Sequence, residues 1–257
     1  MNLGYLEHQG KLNKRIEAHQ KYSTFDLLQW LRDHLAINPG SRLIDLGCGI
    51  GNFFNVYEQK LGTDGLLVGA DLLEEVLRQA QNKYISTPFV PVRLDMNAPL
   101  PFFADFFNAA VAPFSIYYVG DAEKVLREIC RILKPDGEMI IMGPTAGNVK
   151  ELYAFNQRLY GVGMDIKTET RTHRLVAEFL PAAMRCFHQT TVRHLNGQLQ
   201  FPDGMEFIKY YRSTLLYRES QQRFQKSFTD AEMAAHVQSP LVVTKQMVVI
   251  RASHKKV

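Results

Sequence analysis

One segment near residue 45 constrains the fold more than any other part of the chain. Residues 43–53 read LIDLGCGIGNF, where a short apolar run leads into a loop with glycine at every second position: Gly47, Gly49 and Gly51. Glycine lets the backbone turn tightly and lets a ligand approach more closely than a side chain would allow. A buried strand that continues through such a loop into a helix is typical of a nucleotide-binding α/β fold.

The segments around this loop alternate between apolar strands and amphipathic helices. Strands are predicted at 42–46, 66–71, 89–95, 107–114 and 138–144, with helical patterns after most of them and Asp121 placed to cap one helix. Because the strands are apolar on both faces, the pattern predicts a parallel sheet covered by helices on each side. Ligands of such sheets bind at the carboxyl ends of the strands.

Three carboxylates accompany the predicted strands. Asp71 ends the second strand, 20 residues beyond Gly51, where a carboxylate can accept hydrogen bonds from both ribose hydroxyls. Asp95 ends the third strand, where it could meet an adenine edge. Asp45, one step before the loop, needs partners when buried, such as loop N–H groups or a cationic ligand.

The glycine spacing separates two classes of nucleotide site. Dinucleotide folds use G-x-G-x-x-G, with the helix amino end aimed at a pyrophosphate. Here the spacing is G-x-G-x-G and the acid Asp45 precedes it. A carboxylate repels a pyrophosphate and attracts an ammonium group, so a dinucleotide oxidoreductase is the weakest enzyme hypothesis.

Residues 43–53 resemble motif I of the class I S-adenosylmethionine-dependent methyltransferases. The stretches VGADLLEEVLRQA at 68–80, RLDMNAPLPF at 93–102 and the long segment 106–141 resemble the later motifs in family order. The resemblance covers roughly residues 40–145. It implies an α/β fold with a seven-stranded, mostly parallel sheet, helices on both faces and an antiparallel last strand at 246–252.

The resemblance also implies a cofactor site for S-adenosylmethionine. Asp71 would bind the ribose, Asp95 and the Met96 backbone would frame the adenine, and carbonyls near Ala112 would hold the amino group. The implied set is Asp45, Gly47, Cys48, Gly49, Gly51, Asp71, Leu72, Asp95, Met96 and Ala112. The chain departs from many relatives at Pro113, where they carry Asn or Ser, and at Tyr117 and Tyr118, where they carry a His-containing pair.

The carboxyl-terminal part is mostly helical in pattern. Residues 188–201 predict a hairpin about an Asn196–Gly197 turn, because Asn-Gly favours a tight β-turn. We interpret the chain as a single methyltransferase domain that spans residues 1–257. Its parts are an N-terminal helical cap at 1–40, a cofactor-binding core at 41–145, helical insertions with the hairpin at 146–240 that form an acceptor lid, and a final strand at 241–252. Within the cap, residues 11–36 are predicted to be helical.

Methyl transfer from a sulfonium needs alignment and exclusion of water, and needs a base only if the acceptor must lose a proton. The candidates for catalysis are Tyr118, Tyr117 and His19. The candidates for acceptor binding are Tyr22, Phe114, Tyr117, Tyr210 and Arg212, with Tyr5 and His8 in the amino-terminal segment. Arg212 beside Tyr210 could clamp a carboxylate or phosphate. Packing of the tyrosine with Arg212 in solvent explains the same cluster equally well.

Composition limits the remaining hypotheses. Apolar residues make up 46% of 257, the amino terminus has no signal-peptide pattern, and no run is long enough to span a bilayer, so we expect a cytoplasmic protein without membrane contact. The three cysteines, Cys48, Cys130 and Cys186, lack metal-site spacing, so no metal is expected and they are interpreted as reduced structural thiols.

Charge is unevenly distributed along the chain. Residues 1–144 hold 14 Lys and Arg against 17 Asp and Glu, which gives −3, and residues 145–257 hold 16 against 9, which gives +7. We therefore expect methyl transfer to O or N of a small, possibly anionic molecule by a monomer or homodimer, with nucleic acid a weaker partner. The alternatives are an RNA or protein methyltransferase and a catalytically inactive, cofactor-binding partner subunit.

Overall fold

The computed structural model describes residues 9–85 and 89–256, with side chains described from residue 14 onward. Tyr5 and His8 lie outside the described residues. The helices are α1 Gln9–Tyr22, α2 Leu27–His34, α3 Phe54–Leu61, α4 Glu74–Lys83, α5 Ala122–Ile132, α6 Lys150–Tyr160, α7 Ile166–Arg174, α8 Leu180–Cys186, α9 Gly204–Ser213, α10 Leu215–Phe224 and α11 Asp230–Ala234. A 3₁₀ turn spans Ile116–Tyr118 and a π-helical turn spans Leu175–Phe179.

The strands form one seven-stranded sheet. They are β1 Arg42–Leu46, β2 Leu66–Asp71, β3 Val90–Arg93, β4 Phe107–Pro113, β5 Leu133–Pro144, β6 Phe187–Gln200 and β7 Val242–Lys255, in the order β3-β2-β1-β4-β5-β7-β6. Strands β3, β2, β1, β4 and β5 pair in parallel, whereas β7 runs antiparallel to β5. The predicted α/β class and the antiparallel last strand are confirmed.

Strand order reverses beside β1, and that position determines where a ligand can bind. The chain runs from β1 outward to β2 and β3, then returns to place β4 on the other side of β1. The loops after β1 and β4 therefore leave the sheet in opposite directions, which opens a crevice at the carboxyl ends of these strands.

The buried faces of the strands and helices follow the apolar pattern. Ile44 and Leu46 of β1 are buried in one core cluster with Leu126 and Ile129 of α5. Fully burying one such side chain contributes about 1.5–3 kcal/mol relative to exposure. As predicted, Asp121 caps α5, because its side chain accepts a hydrogen bond from the Lys124 N–H.

The contacts of the chain divide it into two compact units, each assembled from three stretches. We call residues 27–145, 170–194 and 247–257 the sheet unit, and residues 1–26, 146–169 and 195–246 the helical unit. The interpretation of the insertions as a lid over a single domain stays a prediction.

The predicted hairpin about Asn196–Gly197 is wrong, because β6 continues through both residues. The Thr24 N–H donates to the Gln198 carbonyl at 2.9 Å, so this stretch is paired as extended backbone. A Cβ on Gly197 would lie 2.7 Å from the Cβ of Phe25. Gly197 thus permits a close approach of two chain segments and does not form a turn.

The segment 11–36, predicted as helical, forms two helices with a break at 23–26. Ser23 forms a β-bridge with Leu199, and its Oγ accepts a hydrogen bond from the Phe25 N–H at 3.2 Å. Serine competes for backbone partners in this way and favours a break over a helix interior.

Candidate functional site

The glycine loop after β1 adopts a backbone that side chains would disturb. Gly47, Gly49 and Gly51 all have positive φ, at 78°, 54° and 76°. A Cβ on Gly47 would lie 2.3 Å from the Cβ of Ser115, whereas a Cβ on Gly49 would meet nothing within 4 Å. Gly47 is therefore needed for packing against the loop after β4. Gly49 leaves a surface of bare backbone that a ligand can approach.

Asp71, at the end of β2, is tied to this loop. Its Oδ2 accepts a hydrogen bond from the Gly49 N–H and its Oδ1 accepts one from the Leu73 N–H, both at 3.0 Å. Burial raises the pKa of Asp71, and the backbone N–H groups of Leu73, Gly49 and Leu72 oppose that rise. Each oxygen keeps a further lone pair, so the carboxylate can still accept hydrogen bonds from a ligand.

Asp45 is placed differently, although it lies on the neighbouring strand. Its side chain is fully buried, and neither oxygen has a hydrogen-bond partner of good geometry within the described residues. The loop N–H groups of Gly47 and Cys48 bond instead to the Ala70 carbonyl. Burial raises the pKa of Asp45 well above its ordinary value, against a smaller lowering by Tyr57. Burial therefore disfavours the ionised form of this carboxyl group.

The thiol of Cys48 is buried beside these acids. Burial raises the pKa of Cys48, and the charges of Asp45 and Asp71 raise it further. A thiol without thiolate character is a poor nucleophile. Cys48 thus contributes to the loop through its backbone, which agrees with its interpretation as a structural thiol.

The loops after β3 and β4 complete the same edge of the sheet. A Cβ on Gly47 would lie 3.7 Å from the Cε of Met96, and the Ser115 Oγ donates to the Leu46 carbonyl at 2.5 Å. Asp95 accepts from the Asn97 N–H, and the Asn97 Oδ1 accepts from the Gly120 N–H at 2.7 Å. Ser115 and Asn97 were not predicted, since contact between separate loops leaves no local pattern in the sequence.

The segment 113–120 after β4 is held in an unusual conformation. Phe114 has φ of 59°, which is uncommon for a residue with a Cβ. The Arg174 guanidinium donates to the carbonyls of Tyr117, Val119 and Gly120 and pairs with Glu178. Arg174 therefore positions this segment from outside, and Ala112, just before it, is buried in β4.

Comparisons with known proteins agree with this geometry. A family model described as a methyltransferase domain matches residues 44–141. The ubiquinone/menaquinone biosynthesis C-methyltransferase UbiE of Vibrio parahaemolyticus is 29% identical over 185 residues, which cover 68% of each chain. The protein of the same name from Pasteurella multocida is 24% identical over 70% of this chain and 67% of its own.

These matches support a class I S-adenosylmethionine-dependent methyltransferase. Its fold is shared with the YcgJ protein from Bacillus subtilis, with a TM-score of 0.57 at 13% identity over 90% of this chain and 98% of that chain. The methyltransferase uses S-adenosylmethionine as its cofactor, as the motifs had indicated.

The two tyrosines of the methyltransferase's 3₁₀ turn have different surroundings. A Cβ on Gly143 would lie 2.6 Å from the Cε1 of Tyr117, so the Tyr117 ring fills a gap in the core. Tyr118 is 41% exposed, and the Arg171 guanidinium lies 5.1 Å from the centre of its ring. Only Tyr118 therefore has a ring that an acceptor could reach without core rearrangement.

The other predicted acceptor residues belong to the helical unit. Tyr22 donates to Glu206 at 2.8 Å, and the buried Tyr210 contacts His19. Arg212 donates to the Phe228 carbonyl at 2.7 Å and pairs with Asp230 at 2.8 Å. These contacts favour a structural role for Arg212, and its use as an anion clamp stays a prediction.

Two further observations concern metal binding and membrane spans in the described part of the chain. No group of three or more His, Cys, Asp and Glu side chains there is arranged to hold a metal ion. None of the helices within 9–85 and 89–256 has the length and apolar character of a membrane span.

Proposed function

We propose that this methyltransferase acts on a small molecule that carries an anionic group, and transfers the methyl group to an O or N atom. The observation that carries the proposal is the junction of Asp71 with the bare backbone of Gly49, at the edge where the loops of four strands meet. That junction offers a carboxylate and an accessible backbone side by side.

We propose that the residues of this edge bind the cofactor as the family resemblance implies. Asp71 accepts from the ribose, Asp95 and Met96 frame the adenine, and Gly47, Cys48, Gly49, Gly51, Leu72 and Ala112 contribute backbone. The unpartnered carboxyl oxygens of Asp45 fit a ligand with an ammonium group, because a nearby cation favours the ionised form of a buried acid. S-adenosylmethionine supplies an electrophilic methyl group on a sulfonium sulfur.

Of the three catalytic candidates, we retain Tyr118. Tyr117 is packed in the core. Burial, with the charges of Lys245 and Arg15, lowers the pKa of His19 to about 3, which makes it a weak base at neutral pH. The exposed phenol of Tyr118 can orient an acceptor by hydrogen bonding. Alignment and water exclusion then provide most of the rate enhancement, since the methyl group is already activated.

A carbon acceptor is the second candidate. The relatives from Vibrio parahaemolyticus and Pasteurella multocida are both named C-methyltransferases of ubiquinone and menaquinone biosynthesis. A quinol-like acceptor at carbon would use the same cofactor site. An RNA or protein substrate remains an alternative, as does a catalytically inactive partner subunit.

Incubation with methyl-¹³C-labelled S-adenosylmethionine tests the proposal. The purified protein is given separate panels of carboxylates, phenols, amines and quinols, together with tRNA and a histone mixture, and the products are examined by carbon NMR. The shift of the labelled carbon distinguishes O-, N- and C-methyl products. Label on O or N of a small molecule supports the proposal, and label on carbon supports the second candidate. Labelled macromolecule contradicts both, and cofactor binding without any product supports the partner subunit.

A further inference from the structure

Two half-buried cysteines meet where α5 packs against α8 in the sheet unit. Cys130 lies in the last turn of α5, and Cys186 is the last residue of α8. The Cys130 thiol donates a hydrogen bond to the Cys186 carbonyl, with 3.4 Å between the sulfur and the oxygen. The two residues are 56 positions apart in the sequence, so the fold brings them together.

The end of α8 is held in place beside the Cys130 thiol. The Lys256 N–H donates to the same Cys186 carbonyl at 2.8 Å, and the Lys256 ammonium group donates to the Met184 carbonyl at 2.7 Å. Phe187, which follows Cys186, is buried in the core. The contact between the two cysteines therefore belongs to an ordered part of the fold.

Three charged side chains join the same two helices. Glu123 of α5 pairs with Arg127 of its own helix at 2.5 Å and with Arg185 of α8 at 3.1 Å. Arg185 directly precedes Cys186, and Arg127 lies one helical turn before Cys130. A guanidinium group therefore lies next to each cysteine in the helix that carries it.

The surroundings make the two thiols unequal. The hydrogen bond from Cys130 lowers the pKa of Cys186 to about 7, while burial opposes it. The charges of Arg127 and Arg185 lower this pKa as well, and that of Glu123 raises it. The same hydrogen bond, and burial, raise the pKa of Cys130. Cys186 is thus the better nucleophile near neutral pH, because the thiolate is the reactive form.

The third cysteine of the sheet unit has none of these features. Cys48 is buried, and its thiol hydrogen bond goes to the neighbouring Gly49 carbonyl at 3.5 Å. A reactive cysteine that senses oxidants is accessible, has a lowered pKa and lies next to a second thiol. The interpretation as an inert structural thiol therefore suits Cys48 and does not suit the pair.

We propose that Cys186 and Cys130 form a dithiol that a peroxide oxidises to an intramolecular disulfide, with Cys186 as the attacking thiol and Cys130 as the resolving thiol. The pair belongs to the sheet unit alone and does not rest on the function proposed above.

The reaction takes place in two steps. The Cys186 sulfur attacks one peroxide oxygen, the O–O bond breaks, and hydroxide leaves and takes up the proton that the thiol had released. The product is a sulfenic acid on Cys186. The Cys130 sulfur then attacks that sulfur, the S–O bond breaks, and water leaves with the Cys130 proton. Each sulfur loses one electron overall, and the peroxide gains two.

The first experiment treats the reduced full chain with hydrogen peroxide, blocks the remaining thiols with N-ethylmaleimide in denaturant and maps the tryptic peptides without reduction. We expect residues 128–131 to be joined to residues 186–193, and dithiothreitol to separate them. Cys48, on the peptide 43–60, is the internal control and should carry maleimide. Recovery of Cys130 and Cys186 as unlinked peptides, or as links between separate chains, would overturn the proposal.

Single variants test which thiol attacks. Cys130→Ser should stop at a sulfenic acid on Cys186, which dimedone traps. Cys186→Ser should leave Cys130 as a free thiol under the same conditions. Dimedone on Cys130 in that variant, with none on Cys186 in Cys130→Ser, would contradict the assignment.

The rate of oxidation gives a check on the charges around the pair. In the wild type it should rise about tenfold between pH 6 and pH 8, because the thiolate fraction of Cys186 grows as pH passes its pKa of about 7. Arg127→Gln should slow the reaction several-fold at pH 7. Arg78→Gln, which removes an exposed arginine paired with Glu75 on another helix, is the matched control. A rate that is independent of pH would count against Cys186 as the attacking thiol.

Binding of S-adenosylhomocysteine shows whether each variant is folded. The last turn of α5 leads into the start of β5, at the edge of the sheet opposite to the glycine loop. The reduced and oxidised proteins should therefore bind this ligand equally. A wild type that forms the disulfide and binds no S-adenosylhomocysteine would support the dithiol and challenge the methyltransferase function.

Discussion

The sheet unit and the helical unit differ in how their buried polar side chains are hydrogen-bonded. In the sheet unit, Asp71 is met by the N–H groups of Gly49 and Leu73, so backbone satisfies it before any ligand arrives. In the helical unit, the buried Tyr211 hydroxyl donates a hydrogen bond to the Asn156 side chain at 2.5 Å. Contacts made by the backbone depend little on residue identity, whereas contacts between side chains change with each substitution.

We expect the same contrast to separate what each unit recognises. Loop backbone after a strand suits a constant ligand such as the cofactor, because main-chain geometry barely changes with sequence. Side chains from α1, α9 and β7 can be exchanged one at a time, which suits an acceptor that differs among methyltransferases. The following changes test this division.

The largest expected effect is on the glycine loop. Gly49→Ala places its Cβ in open space, so we expect a stability loss of about 1 kcal/mol from the positive φ alone. Affinity for S-adenosylhomocysteine should fall about 100-fold, roughly 2.8 kcal/mol, because the ligand approaches that face. Thermal unfolding and calorimetry measure the two quantities.

Gly47→Ala is the matched control, because its Cβ would clash with Ser115. We expect its main defect in stability, about 1–3 kcal/mol, with part of the loss recovered by adding Ser115→Gly. Full cofactor affinity in Gly49→Ala would show that the open face is not the binding face.

A smaller effect is expected for Asp71→Ala. The change removes the proposed acceptor for the ribose and leaves the Gly49 N–H without its partner, so affinity for S-adenosylhomocysteine should fall about 10- to 100-fold. Asp64→Ala, at an exposed acid just before β2, serves as the control and should bind normally. An unchanged dissociation constant in Asp71→Ala would reject the assignment of that residue.

Arg174→Gln tests whether the segment after β4 serves the acceptor. Loss of the donors to Tyr117, Val119 and Gly120 should loosen the segment that carries Tyr118. We expect KM for the acceptor to rise about 5- to 10-fold while the dissociation constant of the cofactor changes less than twofold. Arg185→Gln removes an exposed ion pair with Glu123 and should leave both values unchanged. If the dissociation constant of the cofactor changed more than the KM for the acceptor, the segment would belong to the cofactor site.

The smallest expected effect is that of Asp45→Asn on the stability of the free protein. The pKa of Asp45 is raised in the fold, so the folded state binds its proton more tightly and the contribution of Asp45 to stability falls as pH rises above its unfolded pKa. The variant cannot ionise, so we expect its melting temperature to gain on that of the wild type between pH 4 and pH 7. Parallel melting curves at the two pH values would contradict the raised pKa.

Local patterns in the sequence were sufficient to predict the main features of the sheet unit. The glycine loop, Asp71 at a strand end and the Asp121 cap each depend on residues a few positions apart, so their spacing predicts their structure. The hairpin predicted about Asn196–Gly197 was wrong for the opposite reason. Its turn propensity is local, and it is overridden by pairing with a segment more than 170 residues earlier.

The remaining contacts of the site depend on long-range packing. Ser115 meets Gly47 and Arg174 reaches the Tyr117 carbonyl although each pair is far apart in the sequence. The partners His19 and Tyr210 lie on elements far apart in the chain. Their pairing has no signature in residue spacing.

Calorimetric titration of the purified protein with S-adenosylhomocysteine, with NAD in parallel, tests the central claim most directly. The glycine spacing, the buried Asp45 and the Asp71–Gly49 junction predict saturable binding of S-adenosylhomocysteine at one site per chain and no heat with NAD. Binding of NAD without binding of S-adenosylhomocysteine would contradict the account.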